Sequence, residues 1–253
     1  MRASEHLSVA LKAADAAADV IMKYYQKQVQ IKTKADLSPV TIADIESEQV
    51  IRQIISDAFP SHGFYGEETG QENMDAEYLW LVDPIDGTKS FVREYPFFST
   101  QIALMKQGEL VVGVSSAPAF KELAWAELGC GAFLNGSRLK VSDIKTVSQC
   151  TLSTGNLKSM AMGDGWSSLG ELVSRVSRNR GYGDFYHYHL LASGKIDVVL
   201  ESDVNILDIA ALAVIVREAG GIFTDLQGDA LRLDTRSVLA ANPHLHKLVL
   251  DSL

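Results

Sequence analysis

Apolar residues recur at three- and four-residue spacing between Ser4 and Tyr25, at Leu7, Leu11, Ala14, Ala18, Ile21 and Tyr25, and this period predicts an amphipathic helix. A second helix is expected to take Thr41 as its N-cap and to turn Ile42, Ile45, Val50, Ile54 and Ile55 inward. It should stop at Phe59, because Pro60 cannot continue it. After a polar loop with Gly66, Glu67 and Glu68, the run Tyr78-Leu79-Trp80-Leu81-Val82 has the aromatic and β-branched content of a buried strand that ends at Asp83-Pro84. Further strands are expected at Phe97–Met105, Leu110–Ser116 and Leu123–Ala126, and Asn135-Gly136 offers the positive-φ pair of a tight hairpin.

Beyond Cys150 helix and strand alternate. Helices are expected near Leu169–Ser177, Tyr186–Ser193 and Ile206–Ala219, with strands at Ile196–Leu200, Gly221–Thr224 and Val238–Ala241. The chain therefore reads as two packed halves. Residues 1–145 put helices on an antiparallel-type sheet, and residues 146–253 form an α/β half with a partly parallel sheet. No internal repeat, low-complexity tract or Pro-rich linker separates them.

Composition adds bounds to this picture. A chain of 253 residues, 47% hydrophobic and 22% charged, buries a sizeable core. The net charge of -9, with no clustered Lys and Arg, argues against general nucleic-acid binding, and an anionic ligand would need cations that reverse the local charge. Cys130 and Cys150 are too few for a disulfide framework or thiolate metal site and read as idle thiols. Glu5, Asp15 and Asp19 interrupt any apolar run near the start that could act as a signal or membrane span, so a cytoplasmic protein without membrane attachment is expected.

The densest chemistry lies in Asp83-Pro84-Ile85-Asp86-Gly87-Thr88-Lys89-Ser90-Phe91. Two carboxylates on a turn bent by Pro84 and relaxed by Gly87 can converge on a hard cation, and the Ile85 carbonyl offers one more oxygen. Gly87, Thr88 and Lys89 would then open a helix whose first N–H groups face an anionic phosphate. The plainer alternative is an Asx-turn that organises a strand-to-helix connection.

Three motifs in order, Gly66-Glu67-Glu68, Asp83 to Thr88, and Asp208 with Ala210, Ala211 and Gly220-Gly221, resemble the inositol monophosphatase superfamily of magnesium-dependent, lithium-sensitive phosphatases over nearly the whole chain. The resemblance implies a five-layer αβαβα sandwich, an α+β and α/β architecture, and a homodimer. It also implies two or three Mg²⁺ ions per subunit, as paired-metal catalysis requires, with Glu67, Asp83, the Ile85 carbonyl, Asp86 and Asp208 as ligands. Asp83 would bridge two ions and Glu67 and Thr88 would orient the attacking water, with no covalent phosphoenzyme. Gly87, Thr88 and Asp208 would also border the substrate, a small soluble phosphate ester.

Residues facing the leaving group must decide which ester. Asp184 stands where inositol monophosphatases tend to carry small neutral residues, and Leu207 where they tend to carry Trp. The run from Gly183 to Ser202 looks like the histidinol-phosphate phosphatase branch, and Asp184 and Glu201 could pair with the ammonium and imidazole of histidinol phosphate. Hydrolysis to histidinol and phosphate, a step of histidine biosynthesis, is therefore expected. Inositol-1-phosphate is the alternative, with phosphoadenosine phosphate or sugar phosphates behind it. A scaffold retained as a regulatory protein- or RNA-binding module is disfavoured by the intact ligand set. Taken without any resemblance, Asp184 and Glu201 are polar strand-end residues facing solvent.

Other residues carry weaker signals. Lys34, Asp36, Thr41 and Asp44 match a segment of the superfamily that helps close the site, and otherwise read as a solvated loop and helix start. His187 and His189 form an H-x-H pair, but residues two apart on a helix point in different directions, so they read as surface or core histidines rather than zinc ligands. His244 and His246 read the same way. Ser193-Gly194-Lys195 lacks P-loop spacing and reads as a helix C-terminus.

Overall fold

The computed structural model describes residues 3–27, 31–33, 39–163 and 165–253; Lys34 and Asp36 lie outside them. Helices α1 (Glu5–Tyr24) and α2 (Ile42–Ala58) flank a small ladder of β1 (Ile31–Thr33) and β2 (Pro39–Thr41). Eight strands form the large sheet. They are β3 (Gly63–Gly66), β4 (Gly70–Glu72), β5 (Tyr78–Asp86), β6 (Ser99–Lys106), β7 (Glu109–Ala117), β8 (Glu122–Glu127), β9 (Gly131–Leu134) and β10 (Ser137–Arg138), with helix α3 (Thr88–Val92) between β5 and β6. Their spatial order is β10-β9-β8-β7-β6-β5-β3-β4. The small sheet, ordered β12-β11-β13-β15-β14, comprises β11 (Thr151–Gly155), β12 (Arg178–Arg180), β13 (Val198–Ser202), β14 (Ile222–Thr224) and β15 (Ser237–Ala241). Between and after its strands come α4 (Leu157–Met162), α5 (Trp166–Arg175), α6 (Asp184–Ala192), α7 (Ile206–Glu218) and α8 (His246–Leu250).

The period-2 alternation of the strands sorts these elements into layers. Trp80, Val82, Ile102 and Leu104 point to α1 and α2, whereas Leu79, Leu81, Ala103 and Met105 point to α6 and α7. In the small sheet Val199, Val238 and Ala240 face α6 and α7 from the other side, and Val198, Leu200, Leu239 and Ala241 pack against α5 and α8. The result is a five-layer αβαβα sandwich whose central core draws on residues from both halves of the chain. Helix α7, buried from Ile209 to Val216, is apolar all round because it has a sheet on each side. It packs closely on the large sheet over a cross-strand row of small residues, Ala103, Gly113, Ala126 and Ala132. A Cβ on Gly113 would collide with the Ala211 carbonyl.

The structure corrects the period reading at several points. The buried stripe of α1 is Leu7, Ala10, Ala13, Ala14, Ala17 and Ile21, so alanines rather than Leu11 and Ala18 form the contact, letting α2 approach. Helix α2 keeps Thr41 as N-cap, but its inward face carries Ala43, Asp44, Ser47, Glu48, Ile51 and Ile55, while Ile42 is exposed. Charged residues occupy the inside because each finds hydrogen-bond partners there. The loop around Glu67 is the turn of the β3–β4 hairpin, and β3 pairs with β5 in parallel, so the large sheet is mixed. Strand β5 continues past Val82 to Asp86, with a register irregularity between Asp83 and Asp86. The Asn135-Gly136 hairpin, the partly parallel small sheet and the helix end at Ser193 all match expectation. Among the described residues no helix is long and apolar enough to cross a membrane.

Candidate active site

The buried run Leu79–Val82 drives β5 through the centre of the large sheet, and its carboxyl end delivers Asp83 and Asp86. The irregularity between them lets two residues three apart approach one point rather than alternate across the sheet. The Asp83 Oδ1 accepts the Ile85 N–H at 2.9 Å, so the Asx-turn is present and itself orients the carboxylate. Thr100 donates to the Pro84 carbonyl at 2.9 Å and ties the turn to β6. Gly87 follows at φ 89°, where a Cβ would collide with the Phe97 carbonyl, so only glycine lets the chain swing into α3.

Asp208 arrives from the other end of the chain. It is the third residue of α7, in a capping box: its Oδ2 accepts the Asn205 N–H at 2.8 Å while Asn205 caps Leu207 at 3.2 Å. One ligand atom each from Asp83, Asp86 and Asp208 lies within 4.8 Å of the others. The same device recurs at α2. There the Asp44 Oδ2 accepts the Thr41 N–H at 2.8 Å and its hydroxyl at 2.7 Å, while Asp44 Oδ1 accepts from the Thr88 hydroxyl at 3.1 Å. Thr88 Oγ1 also lies 3.0 Å from the Ile85 carbonyl.

Thr41 and Asp44 are thus buried beside the site rather than solvated. Asp44 went unassigned in the sequence, although its N3 position after a threonine cap was a readable signal. Glu48, one turn further along α2, was missed entirely. Fully buried, it accepts the Glu68 and Thr69 N–H groups at 2.8 and 2.6 Å and so holds the turn that carries Glu67. Gly66 makes this possible, since a Cβ there would stand 2.5 Å from the Glu48 Oε1.

Electrostatics dominate the cluster. Burial first, and then the charges of Glu67, Asp208 and Asp86, push the Asp83 carboxyl well above the usual carboxylate range. Burial and the charges of Asp208, Asp184 and Glu201 do the same to Asp86. Asp208 is pushed up to about 7 by burial, with Glu67 adding to it and the Asn205 N–H opposing. Burial raises Asp44 as well, against its hydrogen bonds from Thr41 and Thr88. An all-oxygen donor set carrying mutually repelling charges fits a hard divalent cation and offers little to a metal that seeks thiolate or imidazole.

Asp86, Asp184, Glu201 and Asp208 line one cavity with Asn156 and Tyr188. Glu201 is buried, not a solvent-facing strand end: its Oε2 accepts from the Tyr188 hydroxyl at 2.7 Å and lies 3.0 Å from the His187 Nε2. Asp184 opens α6 at φ 46°, and burial followed by the Glu201 charge raises it to about 6.

A family model described as the inositol monophosphatase family matches residues 2–253. The chain belongs to the inositol monophosphatase family. It is 40% identical to a histidinol-phosphatase of Mycobacterium tuberculosis, over 98% of each protein, and 38% identical to an inositol-1-monophosphatase of Rhizobium meliloti, over 87% of this chain and 84% of that one. Among solved structures, the extragenic suppressor protein suhB from Bartonella henselae superposes with a TM-score of 0.90 at 31% identity, covering 98% of both chains. Family membership and phosphatase-named relatives support phosphatase activity, and the resemblance to the histidinol-phosphatase branch holds.

His187 and His189 are both buried, His246 is buried against Thr224, and His244 pairs with Asp143 at the surface. Cys150 is buried with its thiol pushed up to about 12 by desolvation, and Cys130 is partly buried.

A carboxyl whose pKa is raised by folding stabilises the fold fully below its unfolded value of 3.8, and that contribution is lost as pH rises, for Asp208 through about 7. In chelator, Asp83→Asn should therefore melt above the wild type at about pH 8 and level with it near about pH 4. A divalent cation should reverse the order at the higher pH. Equal melting temperatures throughout a scanning-calorimetry series would contradict the electrostatic account.

Proposed function

We propose that the chain is a magnesium-dependent phosphomonoesterase that hydrolyses histidinol phosphate to histidinol and phosphate. The observation that carries the choice of substrate is the pair Asp184 and Glu201 on the cavity shared with Asp86 and Asp208. Two extra acids would repel a plain phosphate ester unless its alcohol portion brings positive charge, which histidinol does through its ammonium and imidazole and inositol does not. Relatives named histidinol-phosphatase agree with this reading. Inositol 1-phosphate is the second reading, favoured by the Rhizobium meliloti relative.

Asp83, Asp86 and Asp208, with Glu67 and the Ile85 carbonyl, would hold the magnesium, which when bound neutralises phosphate charge and lowers the pKa of water. The remaining work falls to the protein. Donating its own hydrogen to Asp44, the Thr88 hydroxyl turns its lone pairs outward to accept from the attacking water. That water's oxygen bonds to phosphorus as the ester bond opposite it breaks, its proton moves toward the Thr88–Asp44 pair, and the leaving oxygen takes a proton from solvent water to depart as the alcohol. Asp44, its pKa already raised by burial, is suited to share that proton. The first N–H groups of α3, at Thr88 and Lys89, lack intrahelical acceptors by position and suit a phosphate oxygen. Asp184 and Glu201 grip the departing alcohol.

Thr88→Ala should keep magnesium affinity, measured by calorimetry, while turnover falls by roughly a hundredfold or more, the scale of a lost proton-transfer partner. If metal affinity falls in step with turnover, Thr88 is a structural cap and the role is wrong.

Asp184→Asn tests the substrate. A hydrogen bond to a charged group contributes about 1.5–3 kcal/mol, so kcat/KM for histidinol phosphate should drop roughly ten- to a hundredfold relative to that for a neutral-alcohol phosphate. The ratio cancels damage to the metal site, which slows both substrates together. An unchanged ratio in both Asp184→Asn and Glu201→Gln would hand the assignment to inositol phosphate.

A further inference from the structure

Asp184 and Glu201 reach the cavity from different elements, so their spacing depends on where α6 sits against β13. Helix α6 enters its layer through Gly183 at φ 72° and Asp184 at φ 46° and is buried on every side from His187 to Ala192. A short apolar helix between two sheets has no intrinsic register, because apolar contacts are non-directional. Polar contacts supply one here.

His187 and His189 stand two residues apart, about 200° around the helix at 3.6 residues per turn, so they face opposite sheets. Each ring has both nitrogens partnered, and the partner types are the same. His187 has Glu201 on Nε2 at 3.0 Å and Ser153 on Nδ1 at 3.3 Å, from β13 and β11 of the small sheet. His189 has Glu122 on Nδ1 at 2.8 Å and Ser115 on Nε2 at 2.9 Å, from β8 and β7 of the large sheet. Both histidines and Glu201 are buried, Glu122 is partly exposed, and Ser115 and Ser153 are fully buried, so neither serine is a nucleophile open to substrate.

We infer that His187 and His189 are positioning residues that brace α6 against the two sheets and so set the separation of Asp184 from Glu201 across the leaving-group pocket. The inference rests on the reading of those two acids as leaving-group contacts. Tyr188, between the histidines, shares the task by donating to Glu201 Oε2 at 2.7 Å, while Gly155 leaves room for Glu201 Oε1, which a Cβ there would strike. On the opposite side the brace extends inward: Gln101 donates to Ser115 at 3.1 Å and pairs in register with Asp83. A displacement of 1 Å at a binding group can cost about a hundredfold in rate, so a partial loosening of α6 should be measurable without unfolding.

The test uses the whole chain with magnesium and compares kcat/KM for histidinol phosphate with that for glycerol 2-phosphate. His189→Gln and Glu122→Ala should each lower the ratio about tenfold, a fraction of the cost of an ångström-scale misplacement. Glu122→Gln, which retains an acceptor for the histidine, should recover most of it. Glu122 lies on β8, away from the cavity, so Glu122→Ala should leave the rate on glycerol 2-phosphate and the magnesium requirement at wild-type levels. If His189→Gln does not fold, the two Glu122 variants decide: ratios equal to wild type, or a parallel fall on both substrates, overturn the proposal. A wild-type enzyme with no preference for histidinol phosphate would instead defeat the substrate reading. The brace is then read from KM for inositol 1-phosphate in the same variants, where a rise at unchanged kcat supports it and an unchanged KM overturns it.

Discussion

Repulsion among Asp83, Asp86 and Asp208 is the constraint around which this molecule is arranged. Three carboxylates within 4.8 Å, with Glu67 acting on all of them, are unfavourable in a desolvated pocket unless protons or a cation intervene. The fold holds them there with directional contacts that a slack chain could not maintain. Asp44 and Asp208 are each the third residue of a helix and each spends one oxygen on a capping box; Asp44 accepts from Thr88 with the other, and Asp208 joins the converging carboxylates. Asp83 is oriented by its own Asx-turn, and Glu67 by the buried Glu48 beneath its loop. The apolar layers hold these polar devices in place.

Sandwich topology explains how remote residues meet. The end of β5 brings Asp86, and the start of α7 brings Asp208, to one cavity that Glu201 of β13 in the small sheet also lines. The α6–α7 layer lies between two sheets and packs against both. That arrangement puts Asp83 and Asp86 on a different support from Asp184 and Glu201, so under the proposed function the phosphate and the alcohol would be held from separate elements of one scaffold.

Much of the site was legible because its chemistry is local in sequence. Asp83 to Thr88 carries two carboxylates, a turn proline, an obligatory glycine and a helix start within one short run. Asp208, by contrast, was placed beside them by family resemblance, since no period links residues so far apart. The inward face of α2 was misread because hydrophobicity is a poor guide where Asp44, Ser47 and Glu48 are buried to serve their neighbours. β3, β4, β11 and β12 have three to five residues each, too short for alternation to emerge, and their places are set by sheet pairing. The H-x-H pair was read as core or surface histidines, and its two-sided anchoring became visible only once α6 was seen between two sheets.

The central claim is that the converging carboxylates form a divalent-cation site. Anomalous diffraction from crystals grown with manganese, a magnesium substitute with a measurable signal, tests it most directly. The account predicts an anomalous peak bonded to oxygens of Asp83, Asp86 and Asp208. No peak there at saturating manganese, or peaks confined to other acidic surfaces, would contradict it.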